Sequence, residues 1–91
     1  MRFEWSSSKA AENERKHGVA FEDAATVFDD VLSSTVADPD HSEGEERFLT
    51  FGVDVSGKAL IVAHSEHGDT IRIISSREMT RQERRAYETT R

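Results

Sequence analysis

The sequence contains no cysteine and only one proline, and it has no apolar run long enough to cross a bilayer. The absence of cysteine excludes disulfide bonds and thiolate metal sites. The opening stretch, MRFEWSSSK, lacks the apolar segment of a signal peptide, so we expect a cytoplasmic protein with no membrane partner. Ninety-one residues correspond to a single domain, 1–91, with a modest core that a partner subunit would help to stabilise.

The sequence also lacks an excess of positive charge, since 18 acidic residues outnumber 12 basic ones and the formal net charge is −6. This balance argues against a simple nucleic-acid-binding protein. The charge is unevenly distributed, with twelve acidic and five basic residues in 1–47 and six acidic and seven basic residues in 48–91. From Arg72 onward, six arginines face three glutamates. This division is compatible either with an ordinary solvated surface or with acidic and basic faces that serve different partners.

An acidic segment, DPDHSEGEE (38–46), holds the only proline and is predicted to form an exposed loop. His41 lies among carboxylates there and raises the question of a divalent cation. However, the spacing matches no EF-hand pattern, and a flexible loop holds ligands poorly. We therefore expect neither a metal ion nor another cofactor.

Three helices are predicted from periodicity and capping. The first covers 9–16, with Ser7 or Ser8 as N-cap, Gly18 beyond its end, and Ala10, Ala11 and His17 as its best buried candidates. The second covers 21–32, where one face carries Phe21, Ala24, Ala25, Phe28, Val31 and Leu32, although Ala20 offers no capping side chain. The third begins at Thr80, where Thr80-Arg81-Gln82-Glu83 forms a capping box.

Strands are predicted at 2–5, 33–37 and 47–55, followed by a central hairpin within 58–77. The apolar run 60–63 is typical of a strand covered on both faces. The resulting order is β-α-α-β-β-β-β-α. We expect an α+β fold in which an antiparallel sheet, a meander of the late strands, packs against two or three helices.

The strand registers decide which side chains meet. A two-residue turn at Ser56-Gly57 pairs Val53 with Leu60 and Leu49 with His64, and it sets Arg47 opposite Glu66. The next hairpin has two possible registers. A three-residue loop, 67–69, pairs His64 with Arg72, whereas a two-residue loop, 68–69, pairs Ser65 with Arg72 and turns Arg72 to the other face. The first register is preferred on chemical grounds, because it gathers Arg47, His64, Glu66 and Arg72.

Four segments carry a resemblance to a known family. FEW (3–5), KHGVAFEDAATVFDD (16–30), DPDHSEGEERF (38–48) and RIISSRE-x-T-x-x-ER-x-x-Y (72–87) closely resemble the BrnT toxins of bacterial type II toxin–antitoxin systems. The resemblance implies a RelE-like ribonuclease fold, an RNA substrate and no metal. It also implies a BrnA-like antitoxin that wraps and inhibits the toxin in a hetero-oligomer, and that links the pair to DNA.

RNA cleavage without a metal requires a base for the 2′-hydroxyl, cationic donors for the phosphate and an acid for the leaving oxygen. Arg72 and Arg77 are the predicted phosphate clamps, because a guanidinium group donates paired hydrogen bonds and stays charged. Glu66 or His64 is the predicted base, and the other orients it or acts as acid. The candidates for contacts with RNA backbone or bases are Arg47, Lys9, His17, Arg81, Arg84 and Tyr87.

Two other functions stay open on the residues alone. A non-catalytic interaction module would use the acidic half to bind a partner and the arginines as structural residues. An RNA-binding module would hold RNA through its arginines without cleaving it.

Overall fold

The computed structural model describes residues 1–40 and 46–89, which form five strands and three α-helices. The strands are β1 (Arg2–Glu4), β2 (Ser34–Ala37), β3 (Phe48–Val53), β4 (Ala59–His67) and β5 (Thr70–Glu78). The helices are α1 (Ser7–His17), α2 (Phe21–Thr26) and α3 (Arg81–Thr89), and a 3-10 turn (Val27–Asp29) follows α2 directly. This succession is the predicted order of elements.

The sheet is mixed, in the order β1-β5-β4-β3-β2. Strands β2 to β5 form the expected antiparallel meander. Strand β1 instead lies parallel to β5, with Glu4 opposite Arg72. The prediction of a wholly antiparallel sheet is therefore wrong at this edge, because the chain passes through α1 and α2 after β1 and enters the meander at the far side.

The core lies between α1, α2 and one side of the sheet, where buried apolar side chains pack together: Val19, Phe21, Ala24, Val27, Leu60, Val62, Ile71 and Ile73. In the predicted run 60–63, Leu60, Ile61 and Val62 are buried and Ala63 is half-buried, so this part of β4 is covered on one side and largely covered on the other. Because side chains alternate along a strand, Leu60, Val62 and His64 of β4 point to the helices. We call this side the helix face. We call the other side, which carries Ile61, Ala63, Ser65 and His67, the open face.

The N-cap of helix α1 is Ser6, whose hydroxyl accepts a bond from the Lys9 amide, and not the predicted Ser7 or Ser8. Gly18 follows the helix with a φ of 71°, which is the left-handed conformation predicted for this position. The buried residue of α1 is Asn13, whereas Ala11 and His17 are exposed, contrary to prediction.

The Asn13 side chain replaces a missing strand. Its amide donates to the Ser76 carbonyl (2.9 Å), and its oxygen accepts from the Ser76 amide (3.0 Å). Because β1 pairs only with residues 70–72, this part of β5 has no neighbouring strand on that side. Asn13 thereby fixes α1 against β5 and satisfies buried backbone groups.

Helix α2 is shorter than the predicted 21–32. It begins after Ala20, which, as predicted, provides no side-chain cap. Val31 is 95% exposed, although the apolar pattern assigns it to the core. Asp30 explains the early end, since its carboxylate accepts from the amides of Leu32 (3.0 Å) and Val53 (2.9 Å). The chain therefore turns away from the helix and is held against β3.

The β3–β4 register differs from the prediction by one residue. Leu49 pairs with Ala63 and not with His64. The turn is longer than two residues because the Asp54 carboxylate accepts from Ser56 and from the Lys58 amide (2.9 Å), while the Asp54 amide donates to the Lys58 carbonyl. The predicted two-residue turn is wrong, and with it the opposition of Arg47 and Glu66.

The β4–β5 hairpin has the two-residue loop Gly68-Asp69, in which Gly68 has a φ of 63°. Ser65 pairs with Arg72, so the preferred register is wrong and the alternative register is confirmed. An irregularity between Ala63 and His64 shifts the ladder farther along, where Ile61 pairs with Arg77. Both arginines thus share the open face, while His64 lies on the helix face.

Candidate functional site

A groove of about 350 Å³ lies on the open face between the end of α1 and the start of α3. Its floor is apolar and is formed by Leu49, Phe51, Ile61 and Ala63. Polar groups lie at both ends of this face. We call His17, Arg77 and Glu83 the helix end, because they border the groove beside the two helices. We call Ser65, His67 and Arg72 the hairpin end, because they lie beside the β4–β5 turn.

At the helix end, Arg77 forms a bidentate ion pair with Glu83, with both contacts at 2.8 Å. The bond from Arg77 lowers the pKa of Glu83 to about 2, and the pairing raises the pKa of Arg77. Glu83 also accepts from the Thr80 amide (2.8 Å), and the Thr80 hydroxyl accepts from the Glu83 amide (3.1 Å), which confirms the predicted capping box. Arg77 therefore connects β5 to α3, and Glu83 occupies two of its nitrogens.

At the hairpin end, Arg72 donates through Nη1 to Glu4 Oε2 at 2.9 Å. The side chain is 40% exposed, and an ion pair so accessible to water contributes only tenths of a kcal/mol. Within residues 1–40 and 46–89 this is the one side-chain bond of Arg72, so Nε and Nη2 remain able to donate. Arg72 can thus bind an anion while it keeps its hydrogen bond to Glu4.

The two arginines lie at opposite ends of the open face. Arg72 lies opposite Ser65 and Arg77 opposite Ile61, four residues away on β4. At about 3.3 Å per residue this separation is about 13 Å. Their predicted role as phosphate clamps remains a prediction.

His64, one predicted base, is completely buried. Its Nε2 lies 2.7 Å from the Thr50 hydroxyl, which lies 2.7 Å from the Thr35 hydroxyl. Burial lowers the pKa of His64 to about 4, so the ring is neutral at neutral pH. Its 3.7 Å contact with the half-exposed Glu66 is consequently not an ion pair under those conditions. The geometry does not favour contact between His64 and RNA, and Glu66 lies on the same, helix-side face.

Two residues of the hairpin end, Ser65 and His67, were missed by the sequence reasoning. The Ser65 hydroxyl, which is buried, lies 3.5 Å from Nε2 of the exposed His67. Alternation along β4 puts both on the same face as Arg72. The ladder, continued by one residue, places Arg47 across from Ser65. The two-residue loop was the signal that could have revealed this cluster.

Other predicted RNA contacts lie along α1. His17 borders the groove, and with Lys9 and Lys16 it also lines an adjoining cleft beside Ser75. This cleft, which Glu12 also lines, extends the helix end with two lysines.

The predicted contacts on α3 differ from one another. Arg81 and Arg84 are exposed, and Arg84 pairs with Glu88 at 3.3 Å. Tyr87 is only 6% exposed, and its hydroxyl donates to the Leu32 carbonyl at 2.9 Å. Tyr87 fastens α3 to the chain after α2, so the expectation that its ring stacks on an RNA base is not supported by its position.

In the described parts of the chain, no three His, Cys, Asp or Glu residues come together as metal ligands, and His41 lies outside those parts. None of the helices in 1–40 and 46–89 has the length and apolar character of a membrane span.

Comparison with known proteins places this fold and sequence in context. A family model described as the ribonuclease toxin BrnT of type II toxin–antitoxin systems matches residues 5–83. The crystal structure of the Brucella abortus ribonuclease toxin BrnT is similar, with a TM-score of 0.65 and 21% identity over 89% of this chain and 99% of that one. No curated protein matches the sequence. The family match covers most of the chain, and the structural match shows that the fold is shared.

Proposed function

Since the chain belongs to the BrnT family of ribonuclease toxins from type II toxin–antitoxin systems, we propose that it cleaves RNA with its own side chains and without a metal. The observation that carries this proposal is the family match over residues 5–83. The open face supports it, because an apolar floor lies between two ends that carry arginine.

Arg72 is the proposed contact to the phosphate that is cleaved. It is partly exposed, its Nε and Nη2 can donate, and a guanidinium group stabilises the charge that develops on phosphate oxygens. Arg77 contacts a second phosphate only after its ion pair with Glu83 breaks, because Nη1 and Nη2 both donate to the Glu83 carboxylate. Glu66 is the predicted proton-transfer group that remains accessible to solvent, with 44% of its side chain exposed.

The RNA strand is proposed to lie along the open face. Lys9 and Lys16 supply positive charge beside the groove at the helix end, and His17 lies next to them. Bases contact the apolar floor, since Phe51 and Leu49 are only partly covered there. Arg47, across from Ser65, and the exposed Arg81 and Arg84 serve as secondary backbone contacts.

The proposed partner is a BrnA-like antitoxin that inhibits the toxin in a hetero-oligomer. A type II system implies a protein antitoxin. Because the open face holds the groove and both arginines, covering it would block RNA directly. The toxin would reach DNA only through the antitoxin.

The test uses purified protein without antitoxin, incubated with total RNA in EDTA. We expect cleavage by the wild type and a loss of about 100-fold or more in Arg72→Ala, the size of effect found when a donor to transition-state charge is removed. Arg85→Ala is the matched control, because it removes the same charge from an exposed position on α3. Circular dichroism checks that each variant is folded.

Three results would contradict the proposal. RNA bound without any product, with strong salt dependence, would indicate a binding module. Neither binding nor cleavage would indicate an interaction module. Equal losses in Arg72→Ala and Arg85→Ala would show a nonspecific effect of charge.

A further inference from the structure

We propose that His67 is a catalytic residue of this ribonuclease, that it transfers the proton of the attacking hydroxyl, and that Ser65 is its positioning residue. The inference rests on the proposed function and specifies its chemistry. It follows from the register of the β4–β5 hairpin, which brings Ser65, His67 and Arg72 to one end of the open face.

The ladder sets the distances at this end. Ser65 lies directly opposite Arg72, and His67 lies opposite Thr70. His67 and Arg72 are therefore diagonal neighbours, whose Cβ atoms lie about 7–8 Å apart in antiparallel strands. Both side chains are long enough to reach a phosphodiester bound between them, with Arg72 on the phosphate and His67 near the adjacent ribose.

Ser65 gives the imidazole a fixed neighbour. Its hydroxyl is buried, and it lies 3.5 Å from Nε2 of His67. A contact of this length is weak in a protein without substrate, and such contacts often shorten when substrate binds. The imidazole itself is exposed to solvent, so it can meet RNA.

The other candidates for proton transfer are less well placed. His64 is buried against Thr50 on the helix face. Glu66 also lies on that face, because it alternates with Ser65 and His67. His17 lies at the other end of the open face, beside Arg77. Within residues 1–40 and 46–89, His67 is the histidine on the open face beside Arg72.

The proposed step forms one bond and breaks one. An unprotonated imidazole nitrogen of His67 takes the proton of the ribose 2′-hydroxyl, and the oxygen forms a bond to phosphorus. The bond between phosphorus and the 5′-oxygen breaks, and that oxygen takes a proton from water. Arg72 donates to the phosphate oxygens throughout. The products are a 2′,3′-cyclic phosphate and a 5′-hydroxyl.

The experiment measures single-turnover cleavage and RNA affinity for the wild type, His67→Ala, His67→Gln, Glu66→Gln and Arg72→Ala. We expect His67→Ala to lower the cleavage rate about 100- to 10,000-fold, the usual range for a general base, with RNA affinity within about twofold of wild type. Added imidazole should restore cleavage in His67→Ala, because it replaces the missing base. It should not restore Arg72→Ala.

His67→Gln separates chemistry from structure, because its amide can still contact Ser65 but cannot accept this proton. We expect it to be as inactive as His67→Ala and as stable as the wild type in thermal unfolding. The inference is overturned if either His67 variant retains cleavage within threefold of wild type. It is also overturned if imidazole fails to restore His67→Ala, or if Glu66→Gln alone is the variant that abolishes cleavage.

Failure of the inference is distinguishable from failure of the proposed function. A wild type that cleaves RNA, together with active His67 variants, refutes only the role of His67. A wild type that produces no cleavage refutes the proposed function, and the catalytic role of His67 falls with it.

Discussion

Mild acid should destabilise this protein through His64. The ring is completely buried, and burial lowers its pKa from 6.5 to about 4. A hydrogen bond with the Ser65 backbone acts in the opposite direction and raises the pKa of His64, but burial outweighs it. Between pH 6.5 and 4 the unfolded chain therefore binds a proton that the folded chain excludes.

The sign and size of the effect follow from this difference. The contribution of His64 is fully present above pH 6.5 and is lost as the pH falls toward 4. Each unit of pH between these values costs about 1.36 kcal/mol. At pH 5 the free energy of unfolding should thus be about 2 kcal/mol below its value at pH 7.5, an appreciable part of the 5–15 kcal/mol typical of small domains.

The assay is urea denaturation between pH 7.5 and 5, followed by circular dichroism. His64→Gln is the matched control, because it keeps a polar group near Thr50 but does not titrate. We expect this variant to be less stable at pH 7.5 and to lose much less stability on acidification. Glu83 does not interfere, since its pKa is about 2 and its contribution persists throughout this range.

Two observations would refute this reasoning. One is a wild-type free energy of unfolding that is constant between pH 7.5 and 5. The other is a His64 ring that titrates near 6.5 in the folded protein, measured from its imidazole resonances by NMR.

Two further predictions concern packing and the helix end. Gly52→Ala should lower the free energy of unfolding by about 1–3 kcal/mol, because its methyl group would lie 2.8 Å from Val27 Cγ1 in the core; an unchanged urea midpoint would contradict this. A double-mutant cycle between Arg77 and Glu83 should give a coupling energy of about 1 kcal/mol at pH 7. This is well below the energy equivalent to the whole pKa shift of Glu83, because water screens the exposed pair. Since the pKa of Glu83 is lowered from 4.5 to about 2, this coupling should persist above pH 4.5 and vanish as the pH falls through 2; a coupling constant to pH 2 would contradict the assignment.

Features that depend on neighbouring residues were predicted well from the sequence. The capping box joins Thr80 to Glu83, three residues apart, and Gly18 supplies the positive φ after α1. The apolar face of α2 begins correctly at Phe21. Such signals succeed because the atoms that determine them are close in the chain.

Features that depend on distant partners were not predicted. Asn13 looks like an ordinary polar helix residue, but its partner is Ser76, 63 residues away. Likewise, nothing near residue 31 shows that Asp30 binds the Val53 amide and ends the helix early. The error at Asp30 changed the length of α2, and the error at Asn13 changed which residue of α1 is buried.

The register errors had a larger effect on the candidate site, because a shift of one residue moves every side chain of a strand to the other face. Asp54 sets the first register through its bonds in the turn, and the two-residue loop at Gly68-Asp69 sets the second. Grouping His64 with Arg72 relied on the chemistry wanted at the site and not on burial.

The same register explains why the open face has an apolar floor. Val27 packs so closely on β3 that Gly52 has no room for a side chain on the helix face. Because side chains alternate along β3, Phe51 and Leu49 lie on the other side, where α3 covers them only in part. The close packing of the core thus leaves partly covered aromatic and aliphatic surface between Arg72 and Arg77. In the proposed function, the bases of a single RNA strand contact this floor while its phosphates reach the two arginines.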